Sequence, residues 1–289
     1  MNAEEKLLQQ RLTAAQNTDG GWGYRNGRSW SDPTALALLA LPDSPETRQR
    51  ARCWLQKAQR PDGGWPPQLG VGESTWVTSL SILATPESEL NSPASKAALN
   101  WLTLQAKAPN SVWERFLLRL RGLPVPVETG AGESWFPHTA AWIYPTAMAV
   151  LALSYAAHAT NHQPYRDLAQ KGEQYILSRR GPDGGWNHGG SRYLSENANS
   201  YPEMTGLALL ALAGVPRQDL TPSLQQARSF LSVPESLEGL SWLQMGLLRQ
   251  GCELSYEATS LPCRSTRDTA LRLLALAALN GRDKLFPPY

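Results

Sequence analysis

The sequence is poor in cysteine and has no long apolar run. Its 289 residues include three cysteines, Cys53, Cys252 and Cys263, without Cys-x-x-Cys spacing. This odd number argues against a disulfide framework and favours a reducing compartment. No stretch of roughly 18 uninterrupted apolar residues occurs, and the first residues lack a basic segment followed by an apolar one. We therefore expect a cytoplasmic protein without a transmembrane segment.

Charge of either sign is also sparse. Charged residues make up 18% of the chain, the net charge is +2, and no run of five like charges occurs. A surface that binds a phosphate backbone needs concentrated positive charge, so nucleic acid is not an expected partner. With 42% apolar residues the chain has the composition of a folded protein.

Internal repetition is the main positive feature of the sequence. Asp-Gly-Gly-Trp occurs three times, beginning at Asp19, Asp62 and Asp183. A second repeat resembles Thr-Ala-Leu-Ala-Leu-Leu-Ala-Leu, and its copies begin at Thr34, Thr78, Thr146, Thr205 and Thr269. Such periodicity predicts a repeat architecture in which each unit covers the apolar face of the next.

The repeats predict two kinds of helix. The Thr-Ala segments are apolar on all sides, which is typical of buried helices, whereas the segments ahead of the Asp-Gly-Gly-Trp turns are amphipathic and face water on one side. Outer helices are predicted at 3–15, 46–58, 94–106, 165–179 and 222–232. Inner helices are predicted at 32–42, 75–86, 144–157, 202–213, 237–249 and 267–280.

About six helical hairpins of this kind predict an all-α fold. They could curl into an open solenoid, but we favour closure into an α/α toroid, or barrel, over a single domain at 1–289. Six inner helices in a ring would leave a central funnel, and their N-terminal ends would line its mouth. Cys53, in the middle of a predicted outer helix, is expected in the core.

The Asp-Gly-Gly-Trp turns are interpreted as structural. The Asp side chain can accept backbone N–H groups, the two glycines permit positive φ, and the Trp can brace the reversing chain. The segments Gln16-Asn-Thr-Asp-Gly-Gly-Trp22 and Gln59-Arg-Pro-Asp-Gly-Gly-Trp65 resemble the Gln-Trp (QW) repeat of squalene–hopene cyclases, oxidosqualene cyclases and the prenyltransferase β-subunit superfamily. The resemblance covers most of residues 5–280. It implies the terpenoid cyclase/prenyltransferase-like barrel and an apolar or isoprenoid ligand, while fold analogy alone does not settle function.

The resemblance also implies where an acid should lie. Class II terpenoid cyclases carry Asp-x-Asp-Asp-Thr-Ala at the mouth of an inner helix, and its middle Asp protonates the isoprenoid. This chain has no intact copy. The nearest segment, Ser265-Thr-Arg-Asp-Thr-Ala270, keeps the last acid, Asp268, and has Arg267 in the position of the proton donor. Arginine stays protonated and cannot serve as that acid.

Two other inner helices carry an acid two residues before the Thr of the repeat. These acids, Asp32 and Glu203, are the predicted proton donors, because desolvation in an apolar funnel can keep a carboxyl group protonated. The alternative is that each stabilises the N-terminal end of its helix through a cap or the helix dipole.

Aromatic side chains near the funnel mouth are predicted to bind substrate, since ring faces stabilise developing carbocations. Packing in the core is the alternative role for the same rings. Two loops that precede inner helices add histidines. The predicted substrate-binding residues are Trp30, Trp76, Trp142, Tyr144, Tyr201, His138 and His188, and Trp135 and Phe136 are further candidate wall residues.

No metal or other cofactor is predicted. The prenyltransferase branch of the resemblance implies a zinc site of Asp, Cys and His, with the Asp two residues before the Cys. Neither Cys252 nor Cys263 has such an Asp, and the four histidines show no paired ligand spacing around them.

Two other functions stay open. The same funnel could hold a lipid or a segment of a partner protein without catalysis. Because α/α toroids also host carbohydrate lyases and hydrolases, paired carboxylates among Glu73, Glu133 and Glu203 could instead flank a sugar.

Overall fold

The computed structural model describes residues 2–41, 44–105, 120, 131–137, 139–189 and 199–282. Regular structure in these residues is helical, apart from isolated β-bridges at three turns. The α-helices are α1 (Ala3–Ala14), α2 (Ser31–Ala40), α3 (Pro45–Ala58), α4 (Val77–Leu83), α5 (Pro93–Gln105), α6 (Ile143–Thr160), α7 (Gln163–Ser178), α8 (Pro202–Ala211), α9 (Thr221–Ser232), α10 (Leu237–Arg249) and α11 (Thr266–Leu279).

Six of the described helices form a closed inner ring. In the order α2, α4, α6, α8, α10 and α11, each packs on the next, and α11 packs back on α2. The outer helices α3, α5, α7 and α9 pack on α2, α4, α6 and α8, and α1 packs on α11. This arrangement confirms the predicted all-α toroid and excludes the open solenoid. The assignment of residues 1–289 to one domain stays a prediction.

The predicted helix boundaries agree with the structure to within three residues. The inner helix expected at 75–86 is shorter at both ends, because Thr75 still pairs with the preceding turn and the chain turns away again at Ala84. Cys53 is exposed and not in the core as expected. The buried residues of α3 are Ala51, Trp54, Leu55 and Ala58, a one-sided stripe that excludes position 53. Among the described helices, none is both long and apolar enough to cross a membrane.

The Asp-Gly-Gly-Trp turns differ from expectation in one respect. Only the first glycine of each turn has positive φ: 95° at Gly20, 91° at Gly63 and 89° at Gly184. The second glycine is required for space, since a Cβ at Gly21 would lie 2.6 Å from the Ser29 Cβ. The Asp side chain bonds as predicted. Asp19 Oδ1 accepts the Gly21 N–H at 3.0 Å and the Ser29 hydroxyl at 2.7 Å.

Each repeat tryptophan connects an outer helix, the turn and the following inner helix. Its indole N–H donates to the carbonyl of the residue ten positions earlier, at the end of the outer helix. Its backbone N–H donates to the Thr hydroxyl of the next inner helix. For Trp22 these bonds reach Leu12 at 2.8 Å and Thr34 at 2.9 Å. Trp65 and Trp186 each make the same two hydrogen bonds.

A further bond joins four pairs of neighbouring repeats around the ring. The N–H of a residue at the start of an inner helix donates to a carbonyl of the next turn, two residues after the Trp position. The pairs are Ser31 to Pro67 at 2.9 Å, Trp76 to Trp135 at 3.4 Å, Ile143 to His188 at 3.0 Å and Thr266 to Tyr24 at 2.8 Å. The last pair connects α11 to the first turn, so the ring closes through the same contact that builds it.

We expect the first glycine of a turn to be intolerant of alanine. Gly63 and Gly70 have nearly the same φ, 91° and 90°. A Cβ at Gly63 would overlap the Ala97 carbonyl, whereas a Cβ at Gly70 would have no heavy atom within 4 Å. Left-handed strain of about 1–2 kcal/mol is common to both variants. Gly63→Ala should lose about 1–3 kcal/mol more than Gly70→Ala in urea unfolding, because only it must also displace the next outer helix. Equal losses would contradict this account of the turn.

Candidate functional site

The six inner helices each contribute one side chain from the same repeat position to a single layer. Asp32, Trp76, Tyr144 and Glu203 stand two residues before the Thr of their helices, and so does Arg267. On α10 the equivalent residue is Glu238, which follows its N-cap Ser236 by two residues, as Arg267 follows its N-cap Ser265. We call this set the ring layer: Asp32, Trp76, Tyr144, Glu203, Glu238 and Arg267.

Arg267 connects three other members of the ring layer. Its Nη2 lies 2.7 Å from Glu238 Oε1 and donates to the Tyr144 hydroxyl at 2.9 Å. Its Nη1 lies 3.8 Å from Asp32 Oδ2, and its guanidinium carbon is 5.1 Å from the centre of the Tyr144 ring. One side chain of α11 therefore contacts α2, α6 and α10.

Asp32 lies behind this guanidinium and away from solvent. Its side chain is 2% exposed. Oδ2 accepts the Tyr24 hydroxyl at 2.8 Å, while Oδ1 has no hydrogen-bond partner. A buried carboxylate needs a counter-charge, and Arg267 is the nearest one.

A cavity of about 320 Å³ opens at the N-terminal ends of α8, α10 and α11, and it is lined by Glu238, an ion-pair partner of Arg267. Four carboxyl side chains line it, from Glu203, Glu235, Glu238 and Asp268, together with the guanidinium of Arg264. The sequence predicted Glu203 and Asp268 at the funnel mouth, and both line this cavity. Asp268 Oδ2 also accepts the Arg264 N–H at 2.8 Å, which holds the adjacent chain in place.

Sequence reasoning missed two carboxyl residues of the cavity, Glu235 and Glu238, and of these Glu238 has a shifted pKa. Desolvation raises the pKa of its carboxyl above the ordinary value. Arg267 acts in the opposite direction, and the negative charges of Glu203, Asp32 and Asp268 raise the pKa further. The sequence signal was weak because α10 has Leu240 in place of the repeat Thr; the shared capping serine, Ser236, was the available clue.

Four aromatic rings form the buried wall beside Arg267. Trp135 and Tyr144 stack with ring centres 5.3 Å apart, and Trp76 meets both edge-on at 5.1 Å. Trp242 lies edge-on to Tyr144 at 6.4 Å. Trp76 and Tyr144 were predicted as substrate-binding residues, and Trp135 as a wall residue. Trp242 was missed because it lies inside α10, where nothing in the sequence distinguishes it from other buried residues.

The other predicted aromatic residues lie at helix entrances instead. Trp30, Trp142 and Tyr201 are the N-cap residues of α2, α6 and α8. Tyr201 is 42% exposed and packs on His188 with ring centres 5.1 Å apart. Trp30 packs edge-on to Tyr24 at 5.7 Å. Phe136 is exposed, and His138 lies outside the described residues.

The described part of the chain contains no group of three or more His, Cys, Asp or Glu side chains placed to hold a metal ion. Of the carboxyl groups considered for a sugar site, Glu73 is exposed near the second turn and Glu133 is buried in another turn. The structure therefore groups Glu203 with Glu235, Glu238 and Asp268, and not with Glu73 or Glu133.

Comparison with known proteins gives sequence relatives among terpenoid cyclases. A drimenyl diphosphate synthase from Streptomyces showdoensis is 25% identical over 228 residues, which cover 76% of this chain and 38% of that protein. A squalene–hopene cyclase from Zymomonas mobilis is 29% identical over 133 residues, or 39% of this chain and 20% of that protein. The chain is therefore similar in sequence to proteins of the squalene cyclase-like superfamily. It spans less than two-fifths of the length of these relatives.

Solved structures share the fold. The type II terpene cyclase MstE from Scytonema matches with a TM-score of 0.54 and 17% identity, over 97% of this chain and 78% of that one. A variant of MstE has been solved with its substrate, geranylgeranyl dihydroxybenzoate. A glycoside hydrolase family 76 mannosidase from Bacteroides thetaiotaomicron matches with a TM-score of 0.62 and 11% identity, over 97% and 98% of the two chains. No family model matches the chain.

We expect the pairing of Arg267 with Asp32 to be needed for stability. Arg267→Met should destabilise the protein by about 3 kcal/mol, the lower end for breaking a buried ion pair, because Asp32 would remain buried without its partner. The double variant with Asp32→Asn should recover part of this loss in urea unfolding. If the losses of the two single variants simply add, the pair is not coupled.

Proposed function

We propose that this protein binds an isoprenoid at the mouth of its barrel and that Glu238 donates the proton that starts its cyclisation. The observation that carries the proposal is the Glu238 carboxyl, which has a raised pKa, lines the mouth cavity and shares Nη2 of Arg267 with the hydroxyl of the wall residue Tyr144. The cyclase relatives support the same class of ligand.

The proposed step is an isomerisation. The Glu238 carboxyl gives its proton to a terminal double bond, whose π electrons form the new C–H bond and leave a tertiary carbocation. A neighbouring double bond then attacks this cation and closes a ring, and loss of a proton from the product cation restores the acid. General acid catalysis of this kind needs the protonated carboxyl at working pH, which the raised pKa of Glu238 favours.

The carboxyl groups around the site divide into two roles in this proposal. Asp32 is the buried counter-ion of Arg267, which favours an electrostatic role for it over proton donation. Glu203 and Asp268 supply negative charge that raises the pKa of Glu238. Glu203 lines the same cavity and remains the second candidate acid.

The aromatic wall would stabilise the cation after protonation. Tyr144, Trp76, Trp135 and Trp242 present ring faces and edges in a water-poor part of the barrel. Ring faces attract a cation by about 0.5–2 kcal/mol each, more when the pair is desolvated.

The Glu238→Gln variant tests the acid. It should lower turnover by about 100-fold or more, the usual contribution of a general acid, while isoprenoid binding stays within a few-fold. Turnover by the unchanged protein should fall as pH rises through the raised pKa, because the donor form is then lost. Products are followed by mass spectrometry after incubation with squalene, farnesol and geranylgeraniol.

Glu235→Gln is the matched control, because Glu235 lines the same cavity but is exposed and its bonds do not include Arg267. Full activity in Glu238→Gln with loss in Glu203→Gln would transfer the role of acid to Glu203. Binding without conversion by any variant would instead support a non-catalytic isoprenoid carrier.

The charge of the mouth also predicts the headgroup. Four carboxyl groups and one guanidinium line the cavity, so a diphosphate placed there would meet mainly like charges. We expect farnesol to bind at least about tenfold more tightly than farnesyl diphosphate in calorimetry, because facing like charges cost several kcal/mol. Glu235→Gln should narrow this difference. Tighter binding of the diphosphate would place the ligand elsewhere.

One observation favours a second function. Several carboxyl groups share one cavity, and paired carboxyl groups are what glycoside hydrolysis requires. The mannosidase likeness supports the fold alone. Hydrolysis of manno- or cello-oligosaccharides, abolished by Glu203→Gln or Glu238→Gln, would establish this alternative, and inertness toward both sugars would remove it.

A further inference from the structure

Glu133 occupies the position of a repeat tryptophan. Its backbone N–H donates to the Thr146 hydroxyl at 2.8 Å, and its carbonyl accepts the Trp142 N–H at 2.9 Å. Trp22 makes the same two bonds, to Thr34 and from Trp30. Residues 131–137 are therefore part of a fourth copy of the turn, with a carboxyl group where the other copies have an indole.

The preceding glycine confirms this correspondence. A Cβ at Gly132 would lie 2.6 Å from the Ala141 Cβ and 2.8 Å from a ring carbon of Tyr175. At Gly21, the equivalent glycine of the first turn, the blocking atom is the Ser29 Cβ at the same 2.6 Å. Gly132 is thus packed as tightly as its equivalent in the first turn.

Among the residues that the structure describes, no charged group pairs with the enclosed carboxyl of Glu133. The residue is 2% exposed, and Oε2 has no hydrogen-bond partner. Burial raises the pKa of this carboxyl well above its ordinary value, and no charged group is among the causes. An indole in this position donates a hydrogen bond and carries no charge. A neutral carboxyl shares both properties, whereas a carboxylate has neither.

The groups that face this turn are uncharged in the described elements packed on it. α6 presents Thr146, and the residue before it in the chain, Trp142, adds a backbone bond. α7 presents the Tyr175 ring, whose hydroxyl donates to the Ala141 carbonyl, and the Lys171 backbone carbonyl, which accepts the Ala131 N–H. The Lys171 residue is exposed, so its ammonium group is not enclosed with Glu133.

The turn that holds Glu133 also carries part of the aromatic wall. Trp135, two residues later, stacks on Tyr144, and its carbonyl accepts the Trp76 N–H at the start of α4. A shift of this turn would therefore move a wall ring and loosen the bond between two repeats.

We propose that Glu133 is a pH-responsive element of the barrel: it seats the 131–137 turn while its carboxyl is neutral, and its ionisation releases the turn together with Trp135. The sign follows from linkage. A carboxyl whose folded pKa is raised contributes stability that is complete below the unfolded pKa of about 4.5 and is lost as pH rises through the folded pKa. The effect on ligand binding rests on the function proposed above, whereas the release of the turn does not.

The experiment compares Tm and near-ultraviolet circular dichroism between about pH 5 and pH 10 for the unchanged protein and Glu133→Gln. Between the unfolded and the folded pKa of this carboxyl, unfolding releases one proton. In that range Tm should fall by about 2–4 °C per pH unit. Glu133→Gln should lack this contribution. The unchanged protein should also lose tryptophan dichroism as the turn moves, and Trp135→Phe identifies the responsible ring.

Glu173 is the necessary control. It lies on α7, and burial raises the pKa of its carboxyl to about 7. Its ionisation therefore also lowers the stability of the fold as pH rises. Both proteins are therefore measured in a Glu173→Gln, Glu238→Gln background, which leaves Glu133 as the acid under test. Glu133→Trp restores the repeat residue and serves if the glutamine variant does not fold; it should likewise lack the pH-dependent loss.

Equal pH dependence of Tm in this background with and without Glu133→Gln or Glu133→Trp would overturn the proposal. These readouts use no ligand, so they stand if isoprenoid binding fails. A loss of farnesol binding at high pH that Glu133→Gln prevents would extend the inference to the ligand site. If Tm falls as expected but the tryptophan dichroism does not change, Trp135 does not move with the turn and the proposal is refuted.

Discussion

A bond from a backbone N–H in the turn to the threonine hydroxyl of the next inner helix sets the register of four inner helices, α2, α4, α6 and α8. It fixes where the inner helix lies relative to its turn, at Trp22 and Thr34 and again at Glu133 and Thr146. In these four helices the residue two positions before the threonine therefore reaches the same height. The helices α10 and α11 begin instead at the capping serines Ser236 and Ser265, and Glu238 and Arg267 each stand two residues after one. The ring layer follows from this register, and bonds such as Thr266 to Tyr24 then join adjacent repeats until the ring closes.

The ring layer shows how one height in the barrel can hold unlike charges. Arg267 contacts Asp32, Glu238 and the Tyr144 hydroxyl, so its guanidinium is held from three helices. The two acids differ because Asp32 also accepts the Tyr24 hydroxyl, whereas Glu238 faces the cavity and the negative charge of Glu203. Position within the layer, more than residue type, decides whether a carboxyl is a counter-ion or a candidate acid.

The fold could be predicted because short segments of the sequence determine its helices and turns. Apolar Thr-Ala segments, amphipathic partners and glycine turns each identify their own helix or turn, and closure follows from their number. The site is less predictable because it depends on pairs distant in sequence, such as Arg267 with Asp32. Glu238 was not predicted as a site residue because Leu240 replaces the repeat threonine of its helix. Glu133 was not recognised as a repeat residue because the register bond uses its backbone N–H, which does not depend on residue type.

Because the register bond uses a backbone N–H of the turn, this scaffold tolerates changes of side chain at the turn position and in the ring layer. The register bond needs only a hydroxyl on the helix and an N–H in the turn, so the turn residue can be tryptophan or glutamate without loss of register. The ring-layer residue is likewise free of the bond, and it is acidic, aromatic or basic on different helices. A barrel held in this way can keep its shape while such residues change, which fits a shared fold at 17% identity with a terpene cyclase. Chemistry can then pass to another inner helix, provided that its side chain enters the same layer and finds a neighbour that adjusts its charge.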